Sequence, residues 1–79
     1  MQFTMTHSEL ADLIVMDVRR HAHCIGFKSF SVQKVADSPI LGTNWSGANV
    51  VDYGEADEKV CNDVLREVIP RMQRQYRLS

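Results

Sequence analysis

Ser29-Phe30-Ser31-Val32-Gln33-Lys34-Val35 is followed, after a loop, by Trp45-Ser46-Gly47-Ala48-Asn49-Val50-Val51-Asp52-Tyr53, and these two stretches decide the fold. In the first, Phe30 and Val32 point one way while Ser29, Ser31 and Gln33 point the other, the period of a half-buried strand. In the second, Trp45, Val51 and Tyr53 fall on one face and Ala48 and Val50 on the other, with Gly47 as the natural place for a bulge. The intervening Ser38-Pro39-Ile40-Leu41-Gly42-Thr43-Asn44 carries Pro, Gly and Asn. These residues respectively remove a ladder donor, permit positive φ and imitate a turn with a side chain. The unit is an antiparallel hairpin.

Helices are expected on either side of it. Thr6 and Glu9 match the S/T-x-x-E capping box, in which hydroxyl and carboxylate each accept an otherwise unpaired backbone N–H, so a helix begins at about His7. Leu10, Ile14, Val18 and Ala22 then recur every four residues, the stripe of a helix that buries one face. Gly26 is the expected stop. After the hairpin, Gly54-Glu55-Ala56-Asp57-Glu58 opens a second helix, with acids gathered where the peptide dipoles present partial positive charge. Its stripe is Val60, Val64, Val68 and Met72, widened by Cys61, Leu65, Ile69 and Tyr76. Pro70 lies inside it and predicts a kink or a break, because proline removes one backbone bond and crowds the carbonyl of Arg66.

The expected fold is therefore α+β: a two-layer helix-hairpin-helix (αββα) with an antiparallel two-stranded sheet and both helices on one face, extended across a dimer. Seventy-nine residues make one domain, 1–79. A chain this short buries little surface, and a two-stranded sheet is marginal in water with two open edges. A homodimer is the expected remedy. An unidentified protein partner is the other.

Composition narrows the functions. Apolar residues at 44% and charged residues at 24% are those of a globular chain, which excludes a disordered or fibrous class. The longest apolar run, Leu13 to Met16, is far too short to span a bilayer, so no membrane association is expected. The N-terminus lacks the basic start and apolar core of a secretory signal, so the expected location is cytoplasmic. There Cys24 and Cys61 stay reduced. A formal charge of -1 means that any attraction to nucleic acid has to come from a local patch.

Such a patch has raw material. Between Asp17 and Asp37 no acid occurs, while Arg19, Arg20, Lys28 and Lys34 sum to +4. Residues 66–79 add Arg66, Arg71, Arg74 and Arg77 against Glu67, a net of +3. Arg19, Arg20, Lys28, Arg71, Arg74 and Arg77 are the residues that would meet phosphates if the two stretches share a surface. Against this, acids at the start of the last helix and arginines at its end complement the helix dipole with no ligand at all.

Chemistry-bearing clusters are sparse. His21, His23 and Cys24 are the nearest approach to a metal site, yet on a helix His21 and His23 diverge, and the alternative is a buried Cys24 with two histidines near a helix end. No metal and no cofactor are expected. Cys24 is the only plausible thiol nucleophile, with histidines and arginines nearby but no family-type signature, so enzymatic activity is not expected. Trp45, after the Gly-Thr-Asn turn, either anchors the loop in the core or, with Tyr53, marks a partner-binding surface.

Cys24-x-x-Phe27, Phe30-x-Val32, the Gly-x-Asn-Trp of Gly42 to Trp45 and the terminal Gln75-Tyr76-Arg77-Leu78 together resemble a group of short uncharacterised alphaproteobacterial proteins. That group has no assigned activity, so the resemblance lends no functional residues. It implies a bacterial cytosolic protein with a structurally important Asn-Trp turn. The element order is also similar to that of double-stranded RNA-binding domains. However, the chain is one strand short, and Glu55, Asp57 and Glu58 stand where those domains begin their final helix with lysines.

Overall fold

A computed structural model describes residues 2–40 and 42–79; within them, the side chains of Ala48, Asn49 and Val51 are left undescribed. The chain is mixed α+β, with two helices and strands in two sheets. Strand β1 (Phe3–Met5) leads into helix α1 (His7–Val18), a 3₁₀ turn (Ala22–Cys24) and the hairpin strands β2 (Ser29–Ser38) and β3 (Thr43–Asp52). Helix α2 (Glu58–Gln75) and strand β4 (Tyr76–Leu78) complete it.

Thr6 caps α1 as its sequence dictates: its hydroxyl accepts the Glu9 N–H at 3.2 Å and its own N–H donates to the Glu9 carboxylate at 3.1 Å. The helix ends much earlier than Gly26. After Arg19 the backbone leaves the helical region, His21 is extended at ψ 137°, and Ala22 is exposed rather than part of the stripe. The buried face is Leu10, Ile14, Val15 and Val18. Helix α2 starts at Glu58, where the Asp57 carboxylate accepts the Val60 N–H. Gly54, Glu55 and Ala56 instead form a turn, held by Ala56 N–H on the Tyr53 carbonyl. The expected break at Pro70 does not occur, and α2 runs unbroken past it.

The hairpin is longer than its alternation predicts, and its register shifts twice on the β3 side. Phe30 pairs with Val50 and Val32 with Gly47, so that single residues of β3 are skipped at Val51 and Ala48. A skipped residue reverses which way the following side chains point. Cross-strand partners share a face, so Val50 joins the Phe30 side and packs against the core instead of opposing Trp45. The faces expected for Ala48 and Val51 lie outside the described side chains.

The strands at the two ends were not expected. Tyr76 leaves the helix in an extended conformation, and β4 pairs in parallel with β1, Phe3 beside Tyr76, Thr4 beside Arg77 and Met5 beside Leu78. Both helices pack on the hairpin and on each other. The core joins Leu10, Ile14 and Val18 of α1 to Phe27, Phe30, Trp45, Cys61, Leu65, Val68 and Met72.

Candidate functional site

The Gly42 to Trp45 turn is a joint between the two sheets. The Asn44 side chain exchanges two hydrogen bonds with the Leu78 backbone, while Thr43 Oγ1 at 3.0 Å and Trp45 Nε1 at 2.9 Å both donate to the Tyr76 carbonyl. Gln73 Nε2 returns a bond to the Trp45 carbonyl, and Gln2 Nε2 bridges the carbonyls of Gly42 and Gln73. Trp45 has no accessible surface. Of its two sequence readings, the turn anchor describes it, and a contact surface does not. Tyr53 is half-buried, stacks edge-on against Phe27 at 6.0 Å and donates its hydroxyl to Asn62 at 2.7 Å.

The basic residues separate into groups with their own partners. Arg20 and Arg71 converge on Asp17, linking the end of α1 to the second half of α2. Arg77 pairs with Asp37 and reaches the Gln2 side chain. Arg19 donates to the Phe27 carbonyl. Lys28 and Arg74 are exposed and take part in no ion pair among the described residues; Arg74 lies beside the hairpin tip with Pro39 and Ile40. Asp17 and Asp37, which bound the acid-free stretch, thus pair with Arg71 and Arg77 of the C-terminal stretch, while Arg66 pairs with Asp63 on its own helix.

His21 and His23 are exposed while Cys24 is fully buried, so the three do not converge. Among the described residues, no group of three His, Cys, Asp or Glu side chains could hold a metal ion. Cys24 meets Cys61 instead. Burial pushes the Cys61 thiol up to about 12, helped by its hydrogen bond to Cys24 and by the negative fields of Cys24 and Asp57. A thiol so displaced is almost wholly protonated at neutral pH and is a poor nucleophile.

A concavity lies where, apart from Tyr53, sequence reasoning assigned no site residue. A groove of ≈ 630 Å³ runs between the hairpin and α2, walled by Phe30, Val50, Leu65 and Ile69 and edged by Tyr53, Asn62, Arg66 and Pro70. Gly47 makes it possible, since a Cβ there would stand 2.9 Å from the Phe30 ring and 3.7 Å from Ile69. The usable signal was the glycine in mid-strand, which pairs with Val32 and leaves room for the diagonal Phe30 ring. Leu65 in the core and Ile69 packed against it, the expected edge of the apolar stripe, also form one wall of this groove. Phe3, Met16, Ile25 and Ile40 are further large apolar side chains left exposed.

No family model matches this chain, and none of the curated proteins or solved structures compared with it does either. The site is therefore read from its own geometry. That geometry offers an apolar groove with a polar rim. Among the described residues, no helix is long and apolar enough to cross a membrane.

Proposed function

We propose that the chain is a small self-associating interaction module in which the groove between the hairpin and α2 receives a second copy of the same surface. The observation that carries this reading is the groove itself, which leaves Val50 and Ile69 half-buried over the core residues Phe30 and Leu65 in a chain too small to spare them. The charge of α2 supports a second copy as the occupant. Glu58 opens the helix and Arg74 lies in its last turn, both exposed, while Arg66 at its midpoint pairs with Asp63 of the same helix. Two α2 helices set antiparallel about a two-fold axis near Arg66 bring Glu58 of each beside Arg74 of the other. Among the described residues each strand of the β2–β3 sheet has one ladder partner, which leaves an edge for further pairing. The resemblance to alphaproteobacterial proteins adds a bacterial, cytoplasmic setting to this proposal.

Size-exclusion chromatography with light scattering at micromolar concentration tests it. The expected mass is that of a dimer, with dissociation promoted by salt. Ile69→Asp should give a folded monomer, judged by unchanged circular dichroism. A monomeric mass for the parent chain, or a dimer that persists in Ile69→Asp, overturns the reading. Titration against duplex and single-stranded nucleic acid separates the competing function through Arg20, Arg71 and Arg74: affinity that falls steeply with salt would favour it.

A further inference from the structure

Cys24 and Cys61 stand 37 positions apart in sequence, yet both are without accessible surface and belong to the same core cluster. The backbone enforces the meeting. The Asp57 N–H donates to the His23 carbonyl at 3.1 Å, fixing the residue before Cys24 to the N-cap of α2, and Cys61 lies one turn further along, its N–H on the Asp57 carbonyl at 2.9 Å. No third ligand joins the pair among the described residues, so metal chelation is not what brings these thiols together. Two buried side chains tethered in this way within one core are placed for a sulfur–sulfur bond of roughly 2.0 Å to close between them.

We propose that Cys24 and Cys61 form a fold-templated disulfide site, oxidised by a small-molecule disulfide such as oxidised glutathione to a bond that staples the 3₁₀ turn to α2. One protein thiolate attacks a sulfur of oxidised glutathione, giving a mixed disulfide and one glutathione thiolate, which takes up a proton. The second protein thiol, as its thiolate, displaces the other glutathione and closes the bond. In total two protein thiols give up two protons and two electrons, and one glutathione disulfide becomes two glutathione thiols. Because neither thiol reaches solvent in the folded chain, the exchange takes place while the core is still open, and closure then shields the bond from reductant. The inference is independent of self-association.

The test is to refold the reduced chain in glutathione redox buffers and compare it with the same chain held in concentrated guanidinium. Folding should raise the effective concentration of one thiol at the other by at least about 100-fold over the denatured chain. The product should have lost two hydrogens in mass and should yield a crosslinked peptide pair containing Cys24 and Cys61. Cys61→Ser should yield no such product. Free thiols after equilibration, predominant glutathione adducts or interchain disulfides, or a ratio no greater than in guanidinium would each overturn the proposal.

Discussion

The Asn44 side chain pairs with Leu78 as if it were a peptide unit, Oδ1 accepting the Leu78 N–H at 2.8 Å and Nδ2 donating to the Leu78 carbonyl at 2.7 Å. One amide thereby extends the hairpin onto the terminal sheet without a backbone ladder between β3 and β4. Both groups are buried, so Asn44→Ala strands a donor and an acceptor and should cost roughly 2–4 kcal/mol in urea unfolding. Asn44→Asp should cost more at neutral pH, since it sets a carboxylate against a carbonyl. It should begin to recover above the usual carboxylate range, where burial already favours a protonated oxygen that can donate again, and the recovery should be complete below that range. An Asp variant as stable as the parent chain at neutral pH would contradict this pairing.

The Tyr76 carbonyl accepts from both Thr43 and Trp45, which makes the two donors partly redundant. Thr43→Val or Trp45→Phe alone leaves it one partner; together they leave none. A double-mutant cycle should therefore show an extra loss of at least about 0.5 kcal/mol beyond the sum of the singles. Trp45 emission in the parent chain should be blue-shifted and protected from iodide, and free quenching would show that its burial is wrong.

Two glycines with positive φ should respond unequally to alanine. At Gly54, φ is +61° and a Cβ would stand 2.2 Å from the Gly26 carbonyl oxygen, a backbone atom that cannot step aside. Gly54→Ala should cost well over about 2 kcal/mol, the upper end of the left-handed penalty alone. At Gly42, φ is +74° but nothing lies within 4 Å, so Gly42→Ala should show only that penalty of about 1–2 kcal/mol. Thermal unfolding of the two variants side by side measures the difference.

Cys61 predicts an alkaline limit for the reduced protein. Its folded value lies near 12, above the ordinary 9.0, so the unfolded chain releases this proton first as pH rises. The contribution is fully present below pH 9 and is lost progressively between about 9 and about 12, with a slope of at most about 1.4 kcal/mol per pH unit. Denaturant midpoints across that range should fall more steeply for the parent chain than for Cys61→Ala. Parallel curves would remove the proposed desolvation.

What the sequence disclosed was local. The Thr6–Glu9 box involves residues three apart, and both the helix start and its partners follow from that spacing. The hairpin was legible for the same reason, through alternation and a Pro-Gly-Asn loop. Val50 was assigned to the wrong face because one skipped residue at Ala48 inverts an alternation that looks uninterrupted in sequence. Three-residue strands such as β1 and β4 carry too few residues for any period, and each exists only because the other is there. The arginines illustrate the same limit: nothing local ties Asp17 to Arg71 or Asp37 to Arg77, so a charge tally along the chain could not show which arginines folding pairs with acids. The groove, too, is made by elements that meet only in three dimensions.

The parallel pairing of β1 with β4 also sets how the domain bears a load. Tension applied at Gln2 and Ser79 pulls the two strands past one another along their lengths, so their mutual hydrogen bonds resist together instead of opening one at a time. The Asn44 amide lies directly behind this clasp and shares the strain, which makes the terminal strands a small shear joint rather than a zipper.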